Sequence, residues 1–354
     1  MKTSRFVQVG VGNIGQRFLQ LLLEKQRSLE YRYGMQLVLV AVADSQGAAL
    51  DSAGLDIAHV LSLKQAGASV SSYPDQGVRG LSPAQTLEQA DADLLIELSP
   101  TNLKDGEPGL SVLSWALRHG MDVVTANKGP LVLAYQRLSA LAAENGRSLL
   151  FSGAVAGGLP TVNIGRRDLA GAKVLRVEGI FNTTTNYILL RMQEDGLSFE
   201  DALAEAQQAG VAEADPTLDI DGWDASNKLV ILANSVLGMP ASLSDVSVQG
   251  IRGISSDDLL RAKAEGRAIK LLVTAELDAE RSSTGGEPPY YRLAVRPTEL
   301  SLEHPLARLS RWQMGVVYST DIMGQIVAII EDEGTTATAG AVLRDVIQTV
   351  TSSR

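Results

Sequence analysis

Between Ala209 and Lys228 the chain reads AGVAEADPTLDIDGWDASNK, setting Glu213, Asp215, Asp219, Asp221 and Asp224 ahead of a single lysine. Gly210 is a helix stop after the amphipathic stretch 198–209, and an apolar helical pattern resumes over 225–237, so the run reads as a loop entering a helix. A helix beginning near Trp223 puts Asp224 and Lys228 on one face, four residues apart and within reach of each other. Carboxylates gathered around a lysine suit a ligand that carries an ammonium group beside an oxygen needing a proton. The same residues also fit a solvated acidic loop with one ordinary helix pair, and the run alone leaves both readings open.

The amino terminus supplies a second chemistry. Residues 6–9 form an apolar strand that runs into Gly10-Val11-Gly12-Asn13-Ile14-Gly15 and then a helical pattern through Leu23. This is the strand, glycine turn and helix of a dinucleotide-binding unit. Gly10 permits the tight turn, Gly12 lets the backbone approach a diphosphate, and Gly15 lets the helix pack closely, with the first helical amides at Asn13 and Ile14 facing the phosphates. The second strand, 37–43, ends in Asp44, where an acid holds the adenosine ribose hydroxyls and favours NAD over NADP. Lys64 and Arg79 remain candidates to meet a 2′-phosphate, and Asp44 also fits a plain strand-ending turn residue.

Strands predicted at 94–98, 122–125 and 148–151 alternate with helices at 111–119 and 134–144. Such alternation predicts a doubly wound parallel sheet over residues 1–152, an α/β Rossmann-type domain. Ligands sit beyond the carboxyl ends of such strands, so Ser99, Thr101 and the run Ala126-Asn127-Lys128 should face the cofactor crevice. Lys128 also fits a lysine that caps a loop carbonyl, the commoner fate of a lone lysine. The glycine-rich 153–160 marks the crossing into a second, α+β domain over 153–331. Its strands are expected at 173–181, 268–277, 290–296, 316–320 and 325–330, as an open, mostly antiparallel sheet with helices at 198–209 and 225–237. Ser198 and Asp201 form a capping pair, 281–289 is a polar, mobile hairpin tip, and 339–350 is helical. An apolar open sheet of this kind commonly needs a partner, which predicts a homodimer built on it.

The chain has 354 residues, enough for two domains that each bury a core, and a formal net charge of −10. The acidic balance and lack of a basic stripe argue against nucleic-acid binding. There is no cysteine, hence no disulfide framework, and the amino terminus shows neither a signal region nor a long apolar span. A cytoplasmic protein with no membrane partner is expected. The three histidines, His59, His119 and His304, are too scattered for a local transition-metal motif.

Taken together, the residues are similar to those of homoserine dehydrogenase. The resemblance rests on GVGNIG, on Glu97-Leu98-Ser99-Pro100-Thr101, on Thr125-Ala126-Asn127-Lys128, on 153–160 and on 179–187, GIFNTTTNY. Above all it rests on the order Asp215-Pro216, Asp219, Gly222, Asp224 and Lys228. It implies interconversion of L-aspartate 4-semialdehyde and L-homoserine with NAD or NADP, in the biosynthesis of threonine, methionine and isoleucine from aspartate. It further implies that Lys228 transfers the proton, that Lys128 is its companion beside the nicotinamide, and that Asp224 orients Lys228. Glu213 and Asp219 would hold the substrate ammonium, Asn182 and Thr184 would line the substrate pocket, and Gly334 would close over the cofactor. The segment 332–354 is expected to pack back on the dinucleotide-binding domain.

The sequence also departs from the family pattern. Ser152 stands where a glutamate helps to hold a monovalent cation, leaving the backbone at Val155 and Gly157 as the candidate Na or K site and no confident metal. Thr183 replaces a usual glycine, and Val211 stands where some members carry an aromatic residue. The chain stops soon after its last helix, so the regulatory ACT domain of longer members, and threonine feedback through it, are not expected. A related dehydrogenase acting on another amino acid, or a silent NAD-binding paralogue, are the alternatives; an acylating aldehyde dehydrogenase would need a cysteine nucleophile.

Overall fold

The computed structural model describes residues 1–283, 288–332 and 334–352. Its contacts divide the chain into two units, Met1–Gly158 with Gly334–Arg354, and Leu159–Glu333.

In the first unit, strands β1 (Lys2–Val9), β2 (Met35–Asp44), β3 (Gly47–Leu50), β4 (Gly77–Arg79), β5 (Leu94–Glu97), β6 (Asp122–Thr125) and β7 (Leu149–Leu150) form one sheet in the order β4-β3-β2-β1-β5-β6-β7. The five strands from β2 to β7 in that order pair in parallel, while β3 and β4 extend the edge antiparallel. Leu94, Leu95, Ile96 and Glu97 are all buried, as strands covered on both faces require. The two added strands were not expected: they are short and polar or small in composition, with no alternation to mark them.

The first helix runs Asn13–Tyr33, well past the predicted end at Leu23. Beyond Leu23 it is mostly exposed, with Leu29 the buried exception, so its apolar stripe fades while the helix continues to a left-handed Gly34 (φ 62), whose amide returns to Glu30 at 3.0 Å. A second correction concerns the helix expected at 134–144, which starts at Lys128 under an Asn127 cap. Non-helical backbone at Ala134 (φ −147) breaks the period and hides the first turns.

The carboxyl-terminal helix, Thr336–Ser352, buries Ala339, Val342, Val346 and Val350 in the core that also holds Phe18, Leu19 and Leu22. Ser152 pins it, giving its amide and its hydroxyl to Asp345 at 2.7 Å each. Asp345→Ala would strand both buried donors, which costs about 1–3 kcal/mol per group. The expected result is a clear fall in the urea midpoint, and an unchanged midpoint would show that these bonds do not anchor the helix.

The second unit is a six-stranded sheet of β8 (Val174–Ile180), β9 (Val246–Val248), β10 (Arg267–Leu277), β11 (Tyr291–Ser301), β12 (Gln313–Thr320) and β13 (Gln325–Glu331), in the order β13-β12-β8-β10-β11-β9. Every pair is antiparallel except β9 with β11. Residues Ile180, Leu272, Leu300, Leu306, Leu309 and Val317 share one cluster in its core. Helices Phe199–Gln208 and Trp223–Ser235 stand close to where the pattern put them, the first capped by Ser198 on the Asp201 amide. Helices that escaped the sequence reading include Thr183–Asp195 and Ser256–Ala264 here, and Ile57–Gln65 and Pro83–Gln89 in the first unit. The first of these opens on three threonines, poor helix formers whose branched side chains mask the start. Of the hairpin tip expected at 281–289, residues 284–287 lie outside the described residues.

Candidate active site

In the second unit, left-handed Gly222 (φ 86) turns the chain out of the acidic run and into helix Trp223–Ser235. One helical turn then separates Asp224 from Lys228, and Lys228 Nζ donates to Asp224 Oδ2 at 2.6 Å and to the Phe181 carbonyl at 2.5 Å. That carbonyl closes the loop from β8 to helix Thr183–Asp195. Its position is fixed from beneath, because the Phe181 ring lies where a Cβ on Gly179 would be, 2.4 Å away. Asn182 caps the same helix: its Oδ1 accepts from the Thr185 amide at 2.9 Å. This orients Nδ2 toward both acids, Asp219 Oδ1 at 2.7 Å and Asp224 Oδ2 at 3.0 Å. Thr184 donates to the Val211 carbonyl at 3.0 Å, tying the acidic loop to the helix.

Asn182, Thr184, Asp219, Asp224 and Lys228 thus converge. Two carboxylates face one ammonium, leaving a net negative charge. Burial, and then the neighbouring Asp224, push the Asp219 carboxyl above its ordinary range, against the opposing pull of Asn182, Lys228 and Thr184. A bound ammonium would relieve that cost.

The other carboxylates of the run go elsewhere. Glu213 is exposed, and its backbone carbonyl accepts from Gln207 at 3.1 Å. Asp215 accepts from the Thr217 amide at 3.1 Å, and Asp221 pairs with Arg252 at 2.5 Å. The carbonyls of Phe181 and Val211 were missed by sequence reasoning, since every residue has a carbonyl and its direction is set only by the fold.

In the first unit the glycine turn has the predicted form. Gly10 is left-handed (φ 93), and a Cβ there would lie 2.4 Å from the Leu98 carbonyl. A Cβ on Gly15 would meet the Gly10 carbonyl at 2.4 Å, whereas nothing lies within 4 Å of Gly12. Gly12 is the N-cap and offers no side-chain cap, so the amides opening helix Asn13–Tyr33 front an open space. These features fit a dinucleotide diphosphate. Gln8, which the sequence reading did not single out, braces the turn by donating to the Gly10 and Gly15 carbonyls at 3.0 and 3.2 Å. Gly334 is left-handed (φ 84) with open space about it.

Asp44 is already satisfied by its own unit. Oδ1 accepts from the Gln46 amide at 3.0 Å and Ser69 Oγ at 2.8 Å; Oδ2 accepts from Lys64 Nζ at 2.9 Å and the Val70 amide at 3.0 Å. These fill its roughly four acceptor positions, so a ribose hydroxyl reaches Asp44 by replacing a donor. Burial raises its carboxyl pKa, but Lys64, Gln46, Val70 and Ser69 together outweigh burial and lower it. A depressed acid stabilises the fold above its ordinary range and loses that contribution as pH falls through the depressed value. Asp44→Asn should therefore lower the melting temperature at neutral pH, with the gap to the parent closing on acidification. A gap independent of pH would assign the loss to something other than this carboxylate.

At the carboxyl edge of β5 and β6, the Lys128 amide donates to Thr101 Oγ1 at 3.4 Å, and Ser99 and Asn127 both donate to Oε1 of the buried Glu97 carboxylate. Ser152 is less suited to a cation. Besides its two bonds to Asp345, its hydroxyl accepts from Arg344 at 3.0 Å, so its oxygen is already engaged by a carboxylate and a guanidinium. Among the described residues no group of three or more His, Asp or Glu is placed to hold a metal, and no helix is long and apolar enough to cross a membrane.

One unit shaped for a dinucleotide and a second carrying a lysine among carboxylates define a two-domain dehydrogenase of the nicotinamide class. Comparison with known proteins narrows this. Residues 160–347 match the family model for homoserine dehydrogenase, and 10–152 match that for the homoserine dehydrogenase NAD binding domain. The chain is 36% identical to a homoserine dehydrogenase of Methanocaldococcus jannaschii over 98% of both chains. It is 35% identical to an NAD(+)-dependent homoserine dehydrogenase of Pseudomonas canavaninivorans, over 98% of this chain and 96% of the other. Among solved structures it resembles a hyperthermophilic archaeal homoserine dehydrogenase mutant in complex with NADPH, with a TM-score of 0.83, 26% identity and 99% of both chains covered. The chain belongs to the homoserine dehydrogenase family, and is an NAD(P)-dependent oxidoreductase.

Proposed function

We propose that the enzyme interconverts L-aspartate 4-semialdehyde and L-homoserine with Lys228 as the proton-transfer residue. The observation that carries this is the ammonium of Lys228, held at 2.6 Å by Asp224 and at 2.5 Å by the Phe181 carbonyl, with Asn182 linking Asp224 to Asp219. The dinucleotide supplies or accepts the hydride. Lys228 gives a proton to the aldehyde oxygen in reduction and takes it from the hydroxyl in oxidation. Asp224 keeps the lysine in place throughout. Asp219 faces the substrate ammonium; Glu213 adds long-range attraction from its exposed loop. Lys128 stands by the nicotinamide and the reacting oxygen, Ser99 and Thr101 line the same crevice, and Asn182 and Thr184 shape the substrate pocket.

The reaction serves the synthesis of threonine, methionine and isoleucine from aspartate, in the cytoplasm, and the enzyme works as a homodimer built on the six-stranded sheet. In support of that assembly, edge strand β13 exposes Val327 and Ile329 on alternate positions. Sedimentation equilibrium tests it, and a monomer at micromolar concentration rejects it.

The activity test follows reduced-nicotinamide absorbance while purified protein oxidises L-homoserine, with NAD and NADP in parallel and sodium or potassium varied. Sustained turnover with at least one dinucleotide is expected. Folded protein that binds dinucleotide yet leaves homoserine untouched, while oxidising another amino alcohol, would reassign the substrate.

A further inference from the structure

Glu97 ends β5 at the centre of the parallel sheet, between Val9 of β1 and Thr125 of β6, and has no exposed surface. A desolvated carboxylate in such a place is costly unless hydrogen bonds compensate it. Here the donors are neutral, and four of them converge. Ser99 gives both its amide, at 2.9 Å, and its hydroxyl to Oε1; Thr125 Oγ1 reaches Oε2 at 2.9 Å; and Asn127 Nδ2 approaches Oε1 at 3.4 Å. The preceding residues Leu94, Leu95 and Ile96 show that this strand otherwise packs as plain hydrocarbon, so the sheet does not itself need an acid here.

Those four bonds act on the residues that follow β5 and β6. Thr125 Oγ1, while donating to Glu97, accepts from the Asn127 amide at 3.0 Å. Asn127 Nδ2 also donates to Ser99 Oγ at 3.3 Å, which leaves its Oδ1 to accept from the Gly129 amide at 3.0 Å and cap helix Lys128–Glu144. An amide reversed at Asn127 would set Oδ1 against the Glu97 carboxylate and remove the cap. Space is closed around it as well, since a Cβ on Gly109 would come within 2.8 Å of Nδ2. Lys128 is the next residue, the first of the helix that this cap fixes.

We infer that Glu97 is a positioning residue for the reaction: through Ser99, Thr125 and Asn127 it sets the turn that presents Lys128. Burial pushes the Glu97 carboxyl above its ordinary range, and the bonds from Ser99, Thr125 and Asn127 oppose this, so the acceptor role needed to orient Asn127 depends on those bonds persisting. The inference rests on the proposed role of Lys128, and the test separates the two.

Four variants are compared for kcat with homoserine and for dinucleotide affinity by fluorescence titration: Glu97→Gln, Asn127→Ser, Lys128→Ala, and Glu97→Gln combined with Lys128→Ala. Glutamine keeps the size of Glu97 but replaces one of its two acceptor oxygens with an N–H donor and removes the charge. Serine keeps a helix cap while losing the amide that reaches Glu97. Misplacement of a reacting group by about 1 Å can cost roughly 10²-fold in rate. Glu97→Gln and Asn127→Ser should each lower kcat by about that factor while dinucleotide affinity changes less than about threefold. The double variant should be no slower than Lys128→Ala alone, because groups acting through one lysine do not add. A parental kcat in Lys128→Ala removes the lysine's role and the inference with it. A slow Lys128→Ala with multiplicative further loss in the double variant overturns the inference alone, as does a parental kcat in Glu97→Gln. Should Glu97→Gln fail to fold, Asn127→Ser combined with Lys128→Ala provides the same cycle.

Discussion

Lys228→Ala is expected to lower kcat for homoserine oxidation by about 10³-fold, the scale of losing a positioned general acid–base, while NAD and NADP affinities stay near parental. The lysine belongs to the unit Leu159–Glu333, whereas the glycine turn that fits the diphosphate belongs to the other. Its removal should therefore be felt in the chemical step. Lys228→Arg sharpens the test. Arginine keeps a cation near Asp224 and the Phe181 carbonyl but does not give up its proton in proteins, so it should be nearly as slow as alanine. A fast arginine variant would mean that charge alone, and no proton transfer, is what the position supplies.

The second large effect concerns Asp219. Asp219→Asn should raise KM for homoserine by about 10²-fold, since a hydrogen bond to a charged group contributes roughly 1.5–3 kcal/mol, with a smaller effect on kcat. In the ligand-free protein the same change should be stabilising. The carboxyl of Asp219 is pushed up, first by burial and then by Asp224, so its ionisation works against the fold as pH rises through that raised value. Asparagine still offers Oδ1 to Asn182 without the charge. The variant should melt higher than the parent at neutral pH, and the difference should vanish at low pH, where the parent acid is protonated folded or unfolded. An unchanged KM would place the ammonium site elsewhere, and a variant that melts lower at neutral pH would show that the Asp219 carboxylate does not oppose the fold.

Much of the fold was legible because its signals are local. The strand, glycine turn and helix at the amino terminus need only the near absence of side chains at Gly10 and Gly15, and the close approaches there show why. Helix ends marked by turn chemistry, such as Ser198, were also legible. Helix Thr183–Asp195 was not, because its threonines oppose the conformation that Asn182 and the sheet beneath impose. The continuation of the first helix beyond Leu23 was hidden for the opposite reason: with Leu29 its one core contact, that stretch carries too few apolar positions to read as a stripe.

By itself, the sequence determined the chemistry available to this protein: an open glycine turn for a dinucleotide, and Asp224 and Lys228 at the spacing that one helical turn converts into a contact. Local geometry sufficed for these. The tertiary structure decided which acids share the site, sending Asp219 inward to Asn182 while leaving Glu213 exposed and pairing Asp221 with Arg252. It also closed Asp44 with Lys64, Ser69 and Val70, and gathered Ser99, Thr125 and Asn127 on Glu97. The reason is physical: whether a carboxylate is solvated, paired or buried depends on donors brought from distant parts of the chain, and no local pattern encodes which donors arrive.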